Sequence, residues 1–127
     1  MQKSKIFNFQ LDTYKTKIII FHNCPQERIN KYLDKNYKGL IYERNPKHQA
    51  SSFVCEHSNG YEEYCIDFIC PLKKNDPGSY NTIVHESFHV LCNIFEARGI
   101  NLVYGESEVF TYPLGYIVQK IIEEVFV

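Results

Sequence analysis

The chain has 127 residues, which one domain of ordinary size accounts for, and 44% apolar with 15% aromatic content is enough to build a core. Lys+Arg number 14 and Asp+Glu 15, a formal net charge of −1, so neither a basic surface for nucleic acid nor an acidic disordered tail is expected. The five cysteines (Cys24, Cys55, Cys65, Cys70 and Cys92) contain no CxxC pair, and an odd, scattered set reads as reduced thiols and a cytoplasmic location.

The opening stretch MQKSKIFNFQLDTYKTKIIIF has no apolar run longer than four residues, too short for a signal peptide or a membrane span. KTKIIIFH (15–22) is rich in β-branched residues and predicts a strand. NCPQERINKYLDKNYKG (23–39) places Pro25 near a helix start, Ile29, Leu33 and Tyr37 at helical spacing, and Gly39 as the stop. LIYER (40–44) is read as a short second strand ended by Pro46.

SSFVCEHSNGYEEYCIDFIC (51–70) predicts a hairpin closed by Asn59-Gly60 as a two-residue turn. That closure pairs Ser58 with Tyr61, Cys55 with Tyr64 and Phe53 with Ile66. Phe53, Cys55, Tyr64, Ile66 and Phe68 then share an apolar face, and Ser52, Glu56, Glu63, Cys65 and Asp67 a mostly polar one. KKNDPGS (73–79) reads as a loop. A helix is expected from about Tyr80 to Arg98, stopped by Gly99, and a last one over most of 107–125, with Leu114, Ile117, Val118, Ile121, Ile122 and Val125 apolar. The order β-α-β-β-β-α-α predicts a single α+β domain, a small mixed or antiparallel sheet packed on the two late helices.

The segment TIVHESFHVL (82–91) carries the chemistry. On a helix, positions four apart share a face, so His85 and His89 can reach one metal ion, and Glu86, a quarter-turn away, stands beside it as a base for water. Catalytic zinc takes three protein ligands and leaves one position for water. The competing explanation is an apolar helix with two satisfied core histidines. Ile83, Val84, Phe88, Val90, Leu91, Ile94 and Phe95 surround the motif, and a polar patch on so apolar a helix is costly without partners, which a metal would supply. Downstream, YGESEVFTYPLGYIVQKI (104–121) offers Glu106 and Glu108 as third-ligand candidates. His22, His48 and His57 lie upstream and are read as surface or sheet residues, while Glu96 is too far along the helix axis from the pair to share an ion.

TIVHESFHVL followed by a glutamate on a second helix resembles the gluzincin, thermolysin-like branch of the HExxH zinc metallopeptidases. The resemblance covers about residues 61–121. In that family the ligand glutamate opens a helical segment with a glycine two turns on, which implies Glu108 in EVFTYPLG, with Gly115 in the glycine position. The short chain is also similar to small zincin-like proteins encoded by bacteriophages. The pattern departs from the family where an acidic residue often follows the ligand glutamate by one turn. Tyr112 stands there, as a candidate to orient a ligand histidine. Pro113 either kinks the last helix or marks its true start.

The resemblance implies hydrolysis of peptide bonds with one Zn²⁺ held by His85, His89 and Glu108, water activated by Glu86, and a peptide or protein substrate extended along a sheet edge near the strand at 61–69. Tyr104, Tyr112, Tyr116 and Tyr80 are candidate donors to the developing oxyanion. On a helix, 108, 111, 112 and 115 share a face, which is expected to turn toward the His-bearing helix with Gly115 allowing close approach. Glu106, at the helix entrance, is explained by the helix dipole alone. The alternative is a non-catalytic or regulatory zinc-binding interaction protein on the same scaffold, against which Glu86 argues, since a structural site needs no general base.

Overall fold

The computed structural model describes residues 3–37, 40–57, 60–101 and 107–126, and of Ser107 and Glu108 the backbone alone. The elements are β1 (Lys5–Leu11), a 3₁₀ turn (Asp12–Tyr14), β2 (Thr16–His22), α1 (Gln26–Asn36), β3 (Ala50–Glu56), β4 (Glu62–Phe68), α2 (Pro77–Ala97) and α3 (Ser107–Val125). The class is α+β. The strands form one mixed sheet in the order β1-β2-β4-β3, with β2 and β4 parallel and the outer pairings antiparallel. Among the described residues no helix is long and apolar enough to cross a membrane.

Helices cover both faces of the sheet. Ile18 and Ile20 of β2, with Tyr64, Ile66 and Phe68 of β4, pack on α2 and α3, whereas Ile19, Phe21 and Cys65 pack on α1 through Ile29 and Leu33. The run Ile18–Phe21 is therefore wholly buried and reads as continuous apolar sequence rather than as alternation. β1 was not expected from the sequence. Its Phe7, Phe9 and Leu11 line the α2/α3 face while Ile6 lines the other, a period-two pattern.

The residues 40–44 form no strand. Their alternation is present, with Leu40, Tyr42 and Arg44 half-buried and Ile41 and Glu43 exposed. What holds the segment is side chains rather than a backbone ladder. Arg44 grips the fully buried Asp67 with Nε at 2.8 Å and a terminal nitrogen at 2.9 Å, and the Tyr42 hydroxyl donates to the same carboxylate at 2.7 Å. Arg44 also donates to the Cys24 carbonyl, and the Tyr42 ring stacks on Phe53 with centroids 4.0 Å apart.

The hairpin register is shifted by one residue. Cys55 pairs with Glu63, Val54 with Tyr64 and Phe53 with Cys65. The His57 N–H donates to the Tyr61 carbonyl at 2.8 Å, so the connection holds three residues, not two, with Gly60 at φ +84°. A three-residue connection with glycine in the left-handed region is the other common way to close a hairpin. Tyr61 thus faces His57 rather than the expected Ser58, which lies outside the described residues. One step of register carries every side chain to the opposite face. Phe53 and Cys55 accordingly join Cys65 on the α1 side instead of Tyr64 and Ile66. α1 ends at Asn36, where Tyr37 turns extended at φ −139°, and Gly39 lies outside the described residues.

Breaking a buried, hydrogen-bonded ion pair strands its partner. Asp67→Ala is expected to destabilise the protein by roughly 3–5 kcal/mol in urea unfolding. A loss under about 1 kcal/mol, the range of an exposed pair, would show that the segment 40–49 is not anchored this way.

Candidate metal centre

α2 begins earlier than Tyr80, inside the stretch read as a loop. Asp76 is its N-cap, the carboxylate accepting the Ser79 N–H at 3.1 Å and the Ser79 hydroxyl at 2.8 Å, and Pro77 takes the first helical position. The approach to the helix is fixed by His22, whose Nε2 accepts the Leu72 N–H at 3.0 Å. Burial and the nearby Lys5 charge hold this imidazole's pKa below its ordinary value, which suits an acceptor nitrogen. Gly99, at φ +68°, follows the helix end as expected.

The apolar face of α2 is Ile83, Val90, Leu91, Ile94 and Phe95, all buried against the sheet and α3. Each such side chain contributes roughly 1.5–3 kcal/mol of burial, which fixes the helix's rotation. That rotation leaves Val84 and Phe88 each 43% exposed, so the helix is not apolar all round as the sequence suggested. His85 and His89 lie on this outer side and are exposed, whereas Glu86 turns inward and is only 5% exposed.

The two imidazoles converge, with His85 Nε2 and His89 Nε2 3.1 Å apart. Two nitrogen lone pairs at that distance repel unless a proton or a cation lies between them. Tetrahedral ligands at a Zn–N distance of about 2.0–2.1 Å stand roughly 3.3 Å apart, so the pair is already spaced for such an ion. One ligand atom from each of His85, Glu86 and His89 falls within 4.8 Å of the others. Glu86 Oε2 is buried without a hydrogen-bond partner among the described residues. Burial pushes its carboxyl pKa up, against the opposing influence of His85, His89 and His48. A buried carboxylate oxygen with nothing to accept from is costly, and a cation or a water held beside the histidines would satisfy it.

These three side chains line a cleft of about 620 Å³ whose opposite wall is the start of β3, including Ala50, Ser51 and Ser52, with Lys47, His48 and Gln49 leading in. Among the described residues β3 is an outer strand paired only with β4, and its first residues, Ala50 to Ser52, line the cleft. The strand expected beside a substrate, β4, is instead interior, paired with β2 and β3, and has no edge to offer. His48, read from the sequence as a surface or sheet residue, sits on the cleft rim. No local pattern marked it, because it reaches the site through the fold of 40–49 rather than through helical spacing.

Among the described residues, the candidate tyrosines Tyr80, Tyr112 and Tyr116 do not line this cleft. Tyr112, 73% exposed, and Tyr116 line a separate groove with Leu11, Tyr14, Val109 and Pro113. Tyr80 packs on Phe126, and its hydroxyl accepts the Asn75 N–H at 3.3 Å. Tyr104 and Glu106 lie outside the described residues. Glu108 falls in the first turn of α3, and its side chain is likewise outside. Pro113 is inside α3 and does not mark its start. Thr111, Tyr112 and Gly115 are exposed, and a Cβ added at Gly115 would meet nothing within 4 Å. Of the face expected to approach α2, Thr111, Tyr112 and Gly115 therefore look to solvent. Contact between the helices comes from Phe110, whose ring lies 5.1 Å from Phe88 and 5.8 Å from Phe95, with Leu114, Ile117 and Ile121 following in the core. Compared with protein-family models, curated proteins and solved structures, the chain matches none.

A desolvated carboxylate oxygen without a partner weakens the fold that holds it. Glu86→Gln is expected to stabilise the metal-free protein at neutral pH by about 1 kcal/mol, read by thermal or urea unfolding. Equal or lower stability in the variant would show that Glu86 is well satisfied where it stands.

Proposed function

We propose that this chain is a zinc-dependent hydrolase of peptide bonds. His85 and His89 hold the ion, Glu108 is the expected third ligand, and Glu86 is the general base. The observation that carries the reading is Glu86: a buried carboxylate oxygen, unpartnered among the described residues, beside two converging imidazoles, in a cleft lined by the first residues of β3. When bound, zinc supplies Lewis acidity and lowers the pKa of water to about 7.

The remaining steps belong to the chain's own residues. Glu86, raised in basicity by burial, takes a proton from a water in the cleft and returns it to the leaving amine. An extended peptide adds to the free edge of β3, whose backbone groups at 50–52 fix its register through main-chain hydrogen bonds. The net charge of −1 suits a peptide or protein substrate better than nucleic acid or a membrane surface. All five cysteines are free, which supports a reducing, cytoplasmic setting.

The protein is expected to bind one zinc per chain when purified without a histidine tag. Less than about a tenth of an equivalent after zinc supplementation contradicts the reading, since such sites bind tightly. Glu86→Gln should keep zinc and lose hydrolysis of a peptide library. A variant as fast as the wild type removes Glu86 from the base role, and zinc binding with no cleavage by either protein favours a non-catalytic zinc-binding interaction module. Glu108→Ala should weaken zinc binding by orders of magnitude in chelator competition, while Glu106→Ala costs at most ~0.5–1 kcal/mol of stability. The opposite ranking would reassign the third ligand.

A further inference from the structure

The connection into α2 is held by a histidine that plays no part in the cleft. His22 ends β2, is only 3% exposed, and takes the Leu72 N–H on its Nε2 at 3.0 Å. A backbone N–H can only donate, so Nε2 carries no proton and the neutral ring keeps its hydrogen on Nδ1. The bond pins the connection between β4 and α2 part-way along. Before it, the Gln49 carbonyl accepts the N–H groups of Ile69 and Cys70 at 2.9 and 3.1 Å. After it, the Lys73 N–H donates to the Ser79 hydroxyl at 2.8 Å and Asp76 caps the helix. Leu72 is itself buried, in the core that α2 shares with the sheet.

A proton added to this ring changes two things at once. Nε2 becomes a donor and meets the Leu72 N–H head-on, so an attraction turns into a repulsion. A charge must also stand where water scarcely reaches, near Lys5, which is paired with His22 across the β1–β2 ladder. Among the described residues no acid offsets that charge. Glu124 of α3 is engaged with Lys5 at 3.2 Å, and Asp67 of β4 lies on the α1 face in the grip of Arg44. Asp76 accepts from Ser79, and Glu86, the inward acid of α2, feels His85, His89 and His48 and not His22. The Cys24 thiol bonds the His22 carbonyl, not its ring. Burial and Lys5 together hold the imidazole below its ordinary pKa. A group shifted in that direction gives stability that is fully present above its unfolded value, about 6.5, and lost as the pH falls toward the folded one.

We infer that His22 is a pH-sensitive latch on the connection 69–76: neutral, it holds the Leu72 N–H and keeps the connection on the sheet; protonated, it drops that bond and releases the connection and the first turn of α2 while the sheet stays folded. The latch needs no metal and is independent of the hydrolase reading. Its opening still reaches the cleft, because the groove of about 330 Å³ beside the connection shares Gln49 and Thr82 with the cleft lining.

Amide hydrogen exchange of the full chain, corrected for intrinsic rates, tests the latch at about pH 7.5 and about pH 5.5, on either side of the ordinary imidazole value. Opening at Leu72 should become more frequent at the lower pH, by up to roughly tenfold, and opening at Ile20 in the middle of β2 should change less. His22→Gln, whose side-chain oxygen takes the same N–H without titrating, should abolish the pH effect at Leu72. A change at Leu72 no larger than at Ile20, or an undiminished effect in His22→Gln, overturns the proposal. Should that variant not fold, the ring nitrogen shifts of the wild type decide alone. Hydrogen on Nδ1 with a titration midpoint below about 6.5 supports the latch, and hydrogen on Nε2 or a midpoint at or above that value overturns it.

Discussion

The way α2 lies on the sheet decides where His85, Glu86 and His89 point. Ile83, Val90, Leu91, Ile94 and Phe95 drive one side of the helix into the core built on β2 and β4. With that face fixed, helical geometry leaves no freedom elsewhere: positions 85 and 89 must face out together and 86 must face in. The apolar packing therefore does two jobs. It stabilises the domain, and it holds two imidazoles 3.1 Å apart above a carboxylate that water reaches poorly.

The second wall depends on a different interaction on the far side of the sheet. Asp67, on the α1 face of β4, draws Arg44 and Tyr42 in from the segment before β3. That segment cannot wander, so Lys47 and His48 arrive at the rim of the cleft and β3 starts where it can border α2. A cleft lined by one helix and one strand edge is thus shaped by two independent anchors, one apolar and one ionic. The free edge of β3 is a hazard for aggregation in an idle domain and becomes useful when an extended chain is meant to bind there.

The parts of this arrangement legible in the sequence were those encoded by local spacing. The strand at Thr16–His22, the amphipathic α1, the HExxH helix and the extent of α3 follow from periodicity and stop signals over a few turns. What was not legible depended on contacts distant in sequence, or on choices between near-equal local options. Asn59-Gly60 fits a two-residue turn as well as the second and third positions of a longer one, and that single residue moved Phe53 and Cys55 across the sheet. Leu40, Tyr42 and Arg44 alternate like a strand because they face one way, yet the partner they face is a buried carboxylate. The Asp76-Pro77 start of α2 looked like a turn, because a turn and a helix N-cap use the same residues for the same hydrogen bonds. His48 had no local signal at all.

At the centre of this account is the claim that His85 and His89 are ligands of one zinc ion in the cleft. X-ray absorption at the zinc edge on the metal-loaded protein tests it most directly. The account predicts a shell of nitrogen and oxygen at about 2.0–2.1 Å with the multiple-scattering pattern of two imidazoles, lost in His85→Ala and His89→Ala. A sulfur shell near about 2.3 Å, or a spectrum unchanged by either substitution, would place the metal on the cysteines or elsewhere and contradict it.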